Sequence, residues 1–272
     1  MDDPRDELSD LVEVWWRAVD DFSTFLEEVP EDAWSTPTDL PGWDVFALAA
    51  HTAHLEHLLA GGEHDEVDIG EVEHAHGMMG QFTEQGVVAR RSRTPDEVIN
   101  QLRESATARH TALLADPPTD PDAPAPGLFG AIGWSTRTLL RNRPLDVWMH
   151  EQDARRALGR PGNLDPPPAI HAVDYLSESL PLVLAKRAGA PAGTTAVLRV
   201  SGHPDRAFEV GDDGRGRALP AVPESPSLTL EMDRESFICL AGGRRTPEPG
   251  AVRVDGDQAL GARVLEQMAV TP

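Results

Sequence analysis

The sequence predicts an α+β protein, with a helical bundle over residues 1–190 and a smaller α/β domain over residues 191–272. Three observations carry this prediction. In the first part, apolar residues recur three and four positions apart, which is the spacing of amphipathic helices. In the second part, short runs of alternating apolar residues are interspersed with helical pieces. The stretch "GAPAG", beginning at Gly189, marks the change and predicts the domain boundary.

The predicted helices are bounded by proline, glycine or capping residues. The firmest is the segment after Thr94, because Thr94 and Glu97 form a capping box around Pro95 at the first helical position. The helices are predicted from Arg5 to about Glu28, near Trp43 to Gly61, around Gly80 to Arg91, Pro95 to about Ala115, Ser135 or Pro144 to Leu158, and Pro168 to about Ala188.

The second part alternates predicted strands and helices, as an α/β domain requires. The strands are predicted at Ala196–Ser201, Ala207–Val210, Ser227–Met232 and Val252–Val254, and the helices at Arg234–Ala241 and Gln258–Met268.

Composition and charge exclude several classes of function. The chain has 46 acidic and 24 basic residues, a formal net charge of −22 that repels nucleic acids and anionic membranes. The start, "MDDPRDELSD", is acidic where a secretory signal is basic, and no apolar run reaches the length of a membrane helix. These features predict a cytoplasmic protein with neither nucleic acid nor membrane as partner.

The basic and sulfur-bearing residues add two constraints. Cys239 is the only cysteine, so the chain offers neither an internal disulfide nor a thiolate pair for a metal, and any thiol chemistry needs an external thiol. Among the basic residues only Lys186 is a lysine, and with the many Ala, Gly and Pro residues this indicates a high-GC genome.

The segment "RPLDVWMHEQDARRALG" places Asp146 and His150 four residues apart, on one face of a helix. Together they can bind one ion, and His51, on an otherwise apolar helix, is the best third ligand. Two nitrogens and one oxygen suit a divalent cation such as zinc, with a position left open. On spacing alone, a solvated Asp/His pair on a helix surface is the commoner outcome. His54 is an alternative ligand.

Neighbouring residues have two interpretations each. Asp153 either orients His150 or pairs with Arg155 or Arg156. In "GRRTPE", Arg244 or Arg245 could face an anionic substrate, although an exposed loop arginine is the commoner case. The remaining histidines of the first part are predicted on surface helix or loop; they are His57, His64, His74 and His76. No phosphate-binding glycine loop and no nucleophile elbow is present in the sequence.

Two of these segments together resemble the DinB-like mycothiol-dependent maleylpyruvate isomerase family. In that family a Trp in a Pro-Gly-Trp turn precedes a metal-binding His by eight residues, and Trp43 and His51 of "LPGWDVFALAAH" keep this interval. Asp146 and His150 match the family's other two ligand positions. The tail, including "SLTLEMDRESFICLAGGRR" and "VRVDGDQALGARVL", is similar to the sterol-carrier-like C-terminal domain of many members.

The resemblance implies a DinB-like four-helix-type bundle that binds a divalent metal, zinc by its ligands, and a sterol-carrier-like second domain. It implies an enzyme of actinobacterial type that uses mycothiol for S-transfer to a small electrophile, or for cis–trans isomerisation of one such as maleylpyruvate. Arg244 is the first candidate to hold a substrate carboxylate. The chain departs from the family at Asp146, where relatives often have Glu, and at Pro144, which predicts a helix start or kink.

Three alternatives remain open at this point. A metal-activated water would make the protein a hydrolase of amides or esters, independent of thiol. A non-catalytic protein would bind a small apolar molecule or lipid in the second domain, without stoichiometric metal. A member that has lost activity is the third, suggested by the departures at Asp146 and Pro144. The sequence leaves the substrate and the oligomeric state open.

Overall fold

The computed structural model describes residues 4–271 and divides the chain into two compact units, Met1–Asn163 and Leu164–Pro272. The division falls earlier than the boundary at residue 190 that the change in composition predicted. The helix expected at Pro168 therefore belongs to the second unit. Within the described residues, no helix is both long and apolar enough to cross a membrane.

The helices of the first unit are α1 (Pro4–Glu27), α2 (Val45–Leu59), α3 (Gly77–Val88), α4 (Pro95–Ala115), α5 (Gly127–Ala131) and α6 (Thr136–Ala157), with a 3-10 turn at Glu31–Ala33. The four long helices, α1, α2, α4 and α6, pack as a bundle. Helix α1 packs against α4 and α6, and α2 packs against α3, α4 and α6. The core of the bundle includes Trp15, Phe22 and Leu26 of α1, all with 0 % exposure.

Side-chain caps explain where the helices that carry the site begin. Asp44 accepts a hydrogen bond from the backbone N–H of Ala47 at the start of α2, and Ser135 does the same for Thr138 at the start of α6. Helix α6 then continues through Pro144. Of the two predicted starts, the one at Ser135 is confirmed and the one at Pro144 is wrong, so Asp146 lies in mid-helix instead of in a first turn.

The second unit combines helices with a five-stranded sheet. The elements are α7 (Pro167–Ser177), α8 (Leu180–Leu182) followed by a π turn (Val183–Arg187), β1 (Thr195–Val200), β2 (Arg206–Val210), β3 (Gly216–Leu219), β4 (Leu228–Met232), α9 (Arg234–Ala241), β5 (Val252–Gly256) and α10 (Gln258–Glu266). The strand order in the sheet is β3-β2-β1-β4-β5. Strands β1 and β4 are parallel, and the other neighbouring strands are antiparallel. Helix α7 packs against α9, and α10 packs against β4.

The α+β class is confirmed, and the elements of the second unit include two that differ from the prediction. The single helix predicted from Pro168 is interrupted after Ser177, so that α7 and α8 are separate. Strand β3 was not predicted, because its four residues, Gly216–Leu219, are exposed or half-buried and form an edge of the sheet. Such a strand carries no apolar alternation to detect.

Candidate metal site

Three side chains from two packed helices converge in the first unit. His51 lies on α2, and Asp146 and His150 lie one turn apart on α6. Among residues 4–271 they form the group that could hold a metal ion, with one ligand atom of each lying within 4.8 Å of the others. His51 Nε2 is 3.5 Å from Asp146 Oδ2, and His150 Nε2 is 3.4 Å from Asp146 Oδ1. The sequence-predicted residues are therefore brought together.

The cluster is buried on its imidazole side and reaches solvent on its carboxylate side. His51 is 4 % and His150 is 5 % exposed, whereas the side chain of Asp146 is 25 % exposed. Solvent therefore reaches the cluster through Asp146. Three protein ligands would leave one position of a tetrahedral ion open.

Asp153 orients His150 from behind. Its Oδ2 lies 3.3 Å from His150 Nδ1, and because an ionised carboxylate only accepts hydrogen bonds, Nδ1 is the donor. His150 Nε2, which faces Asp146, is then the ring nitrogen that would bind an ion, as in metal sites where a carboxylate fixes the orientation of the imidazole. Arg156 also donates to Asp153, and its Nε donates to Asp39 Oδ2 at 2.9 Å. Asp153 therefore contacts both His150 and Arg156, as the two interpretations made from the sequence predicted.

Trp43 covers the two imidazoles. Its ring centroid is 5.0 Å from that of His51 and 5.8 Å from that of His150. The indole is held in place by a hydrogen bond from Nε1 to Glu84 Oε2 of 2.9 Å. The turn before it needs Gly42, which has φ +79 and where a Cβ would lie 2.1 Å from a ring nitrogen of His74. The "LPGW" segment thus shapes one wall of the site.

The donor set fits a divalent metal. Two imidazole nitrogens and one carboxylate oxygen are a usual ligand combination for zinc, and both histidines approach the carboxylate through Nε2. His51 Nδ1 is buried and has no hydrogen-bond partner among the described residues. A buried imidazole on an apolar helix normally has its polar atoms paired, so protein contacts alone do not explain why His51 lies here.

The charges around the site keep Asp146 ionised. Burial favours the neutral acid, but His150, Arg143 and His51 hold the pKa of Asp146 well below its ordinary value. Burial lowers the pKa of His51 more strongly than Asp146 raises it, so this imidazole is neutral near pH 7. For His150 burial also acts to lower the pKa, but Asp146 and Asp153 outweigh it and the pKa is raised.

His54, the alternative ligand, points away from this cluster. Its Nε2 lies 3.3 Å from His64 Nδ1, and Arg90 Nη1 lies 3.4 Å from its Nδ1. His64 in turn bonds Gln85 Oε1 at 2.9 Å and helps line a cavity of about 540 Å³ beside α3. His54 and His64 thus belong to a separate network of hydrogen bonds. His64 and His74 were expected on the surface, but both are partly buried and bonded, His74 to Glu84 at 3.1 Å.

Sequence reasoning missed Glu56, Glu84 and Arg143, all buried beside the site. A usable signal existed for Glu56, since a carboxylate within the otherwise apolar α2 is costly to bury without a partner. Arg244 lies in the second unit, where it donates to the carbonyl of Gly242 and to Thr271 Oγ1. Its role toward a substrate stays a prediction.

Comparison with known proteins identifies the family. A model described as "Mycothiol maleylpyruvate isomerase N-terminal domain" matches residues 15–155, more than half of the chain, and an "MDMPI C-terminal domain" model matches residues 171–263. The chain belongs to this family. The two matched ranges fall on either side of the division between the compact units, and the three clustered residues all lie in the first range.

Similar proteins in the family are distant in sequence. A crystal structure of the mycothiol-dependent maleylpyruvate isomerase shares 18 % identity, covers 91 % of this chain and 92 % of its own, and superposes with a TM-score of 0.52, which shows a common fold. An uncharacterized protein of Mycobacterium tuberculosis, found in strains CDC 1551 and ATCC 25618, is 26 % identical over 161 residues. This match covers 58 % of the present chain and 59 % of the relative's length.

Proposed function

We propose that the protein is a divalent-metal-dependent enzyme that uses mycothiol to isomerise, or to transfer sulfur to, a small electrophile such as maleylpyruvate. The convergence of His51, Asp146 and His150 within 4.8 Å, inside the unit that matches the isomerase family, carries this proposal. Zinc is the ion that the ligand set favours.

The metal would supply one chemical property: a divalent cation favours a thiolate over a thiol near neutral pH. The protein's own residues do the rest. Asp146 and the two histidines hold the ion, Asp153 fixes His150, and Trp43 shields the imidazoles from water. Cys239 is 4 % exposed and lies in the second unit, so the reacting sulfur is proposed to come from the co-substrate.

The isomerisation is proposed as addition followed by elimination. The thiolate sulfur bonds to one carbon of a conjugated cis double bond, and the electron pair of that bond moves onto the adjoining carbonyl. Rotation about the resulting single bond follows; the electron pair then returns, the carbon–sulfur bond breaks, and the thiolate and the trans isomer leave. If the adduct is instead protonated on carbon, the thioether remains and the outcome is S-transfer. Arg244 is proposed to bind the substrate carboxylate.

Metal analysis tests the site. We expect purified wild type to carry stoichiometric zinc and His150→Ala to lose it, because two remaining ligands hold the ion weakly. His57→Ala is the matched control, since His57 lies on the same helix as His51 but outside the cluster. Equal metal contents in the three proteins would contradict the proposed site.

Turnover with and without thiol tests the reaction. We expect conversion of maleylpyruvate, or of another member of a panel of electrophiles, only when mycothiol is present. Product release that does not depend on thiol would support a hydrolase instead. No adduct and no isomer with any electrophile would support a binding protein.

A further inference from the structure

A buried carboxylate ties together the four long helices of the first unit. Glu56 of α2 has 0 % exposure and accepts hydrogen bonds from three other helices. Trp15 Nε1 of α1 donates to its Oε1 at 3.0 Å, and Arg109 Nη1 of α4 donates to its Oε2 at 3.0 Å. Arg143 of α6 donates to Oε1 through both Nε and Nη2, at 3.1 and 2.7 Å.

The guanidinium of Arg143 also reaches the candidate metal site. Its Nη1 donates to Asp146 Oδ2 at 2.7 Å, one turn further along α6. Arg143 is only 1 % exposed and its contact with Glu56 is shielded from water, whereas its contact with Asp146 is partly buried. The two carboxylates, Glu56 and Asp146, and the two arginines, Arg109 and Arg143, balance in charge. A buried set of this kind persists only when each member has its partners, because an unpaired buried charge is strongly destabilising.

We propose that Glu56 and Arg143 are positioning residues of the metal site. Glu56 holds the guanidinium of Arg143 in place, and Arg143 donates to Oδ2 of Asp146, so that the orientation of this carboxylate toward the ion is fixed. The inference rests on the metal site of the proposed function. In this orientation Oδ1 faces His150 Nε2 at 3.4 Å and Oδ2 faces His51 Nε2 at 3.5 Å.

Two physical consequences follow from this arrangement. The aspartate arm is short, and a guanidinium fixed on one oxygen restricts rotation of the carboxylate, so the other oxygen is presented in one direction. A positive charge behind the carboxylate also withdraws electron density from the ligand. Outer contacts of this kind tune both the affinity of a site and the electrophilicity of its metal.

Arg109 provides a matched control. Like Arg143 it is a buried arginine bonded to Glu56, at 6 % exposure, but the hydrogen bond and the ion pair that the structure shows for it both go to Glu56. Removal of either arginine leaves Glu56 with one fewer partner. Only removal of Arg143 also takes a partner from Asp146.

The experiment compares Arg143→Met with Arg109→Met in the full chain. Both are expected to lower stability to urea, whereas only Arg143→Met weakens Zn²⁺ binding, by about 10–100-fold in competition with a chelator. Only Arg143→Met is expected to change the visible absorption of the Co²⁺-substituted protein. Arg143→Lys, which keeps the charge, should recover part of the affinity. Equal Zn²⁺ affinities and equal Co²⁺ spectra in the two methionine variants would overturn the proposal.

If Arg143→Met fails to fold, Glu56→Gln and Arg143→Lys serve in the same comparison. Both must bind Zn²⁺ less tightly than Arg109→Met, or the proposal is overturned. Failure of the proposed function is distinguishable from failure of this inference, because the Zn²⁺ and Co²⁺ measurements report metal binding and not turnover. A wild type that binds Zn²⁺ without thiol-dependent turnover loses the proposed function and keeps this inference. A wild type that binds no Zn²⁺ loses both.

Discussion

At the scale of single residues, Asp146 depends on partners that are far from it in the chain. His150 is four residues away and was predicted to share its helix face, but His51 comes from α2 and Arg143 links it to Glu56. Each partner changes what the carboxylate does: the imidazoles make it a candidate ligand, and His150 together with the guanidinium of Arg143 keeps it ionised. The same side chain on a solvated helix would be an ordinary surface charge.

The buried side chain of His54 makes the free energy of unfolding depend on pH. Burial, and next to it the charge of Arg90, lowers the pKa of His54 to about 3, with His51, His64 and Asp65 as the other titratable neighbours. Its ordinary pKa is 6.5, so the unfolded chain binds a proton that the folded protein excludes. The stability that neutral His54 contributes is full above pH 6.5 and is lost as pH falls toward 3.

We therefore predict that His54→Gln is less sensitive to acid than wild type. Between about pH 8 and about pH 5, wild type should lose about 2 kcal/mol of unfolding free energy more than the variant does. Urea denaturation at both pH values measures this difference. His57→Gln, on the same helix, should follow wild type. Parallel pH profiles for wild type and His54→Gln would refute the assignment.

At the scale of elements, local signals determined which helices could be predicted. Helix α4 was predicted at its observed bounds, because Thr94, Pro95 and Glu97 specify its start within four residues, and the structure shows both hydrogen bonds of the capping box. The start of α6 was ambiguous, because Ser135 and Pro144 are both helix-start signals. Packing of α6 against α1 and α2 sustains the helix across the proline.

Helices α2 and α3 approach each other closely at Gly86. A Cβ there would lie 2.2 Å from Cδ2 of His54, whose ring is fixed by Arg90 and His64. We predict that Gly86→Ala destabilises the protein by about 1–3 kcal/mol, because the clash outweighs the better helix propensity of alanine. Urea denaturation measures the change.

The double variant Gly86→Ala/His54→Ala is the control for this clash. Once the ring is removed, Gly86→Ala should cost little or should stabilise. If Gly86→Ala costs the same with and without the His54 ring, the close approach is not the cause.

At the scale of the whole molecule, the sequence predicted the fold class, the three clustered residues and Asp153 beside them, but not the buried partners Glu56, Glu84 and Arg143. His51 was proposed as the third ligand because it lies on an otherwise apolar helix, and the family resemblance strengthened the link, since no spacing rule connects residues about a hundred positions apart. The role of Glu56 depends on hydrogen bonds from residues of α1, α4 and α6. These residues are distant from Glu56 in the sequence, so no short segment of the sequence shows all of them together. The division at Asn163 was also missed, because α7 has the same helical spacing as the bundle it follows.

The net charge of −22 sets the response of the protein to salt. Like charges repel one another in the folded protein. Added salt weakens this repulsion because it shortens the Debye length. We predict that the melting temperature rises from about 50 mM to about 500 mM NaCl, as followed by circular dichroism. KCl should give the same rise, because the effect depends on ionic strength. A melting temperature that falls with salt would show that favourable surface ion pairs dominate.

Trp43 gives the molecule an optical readout of its own site. An indole that lies 5.0 Å from one imidazole and 5.8 Å from the other changes its fluorescence when a quenching ion such as Co²⁺ occupies the space beside it. The other tryptophans provide a background that Trp43→Phe leaves in place. Loading of the site can therefore be followed in real time by emission, without a label, a substrate or the thiol.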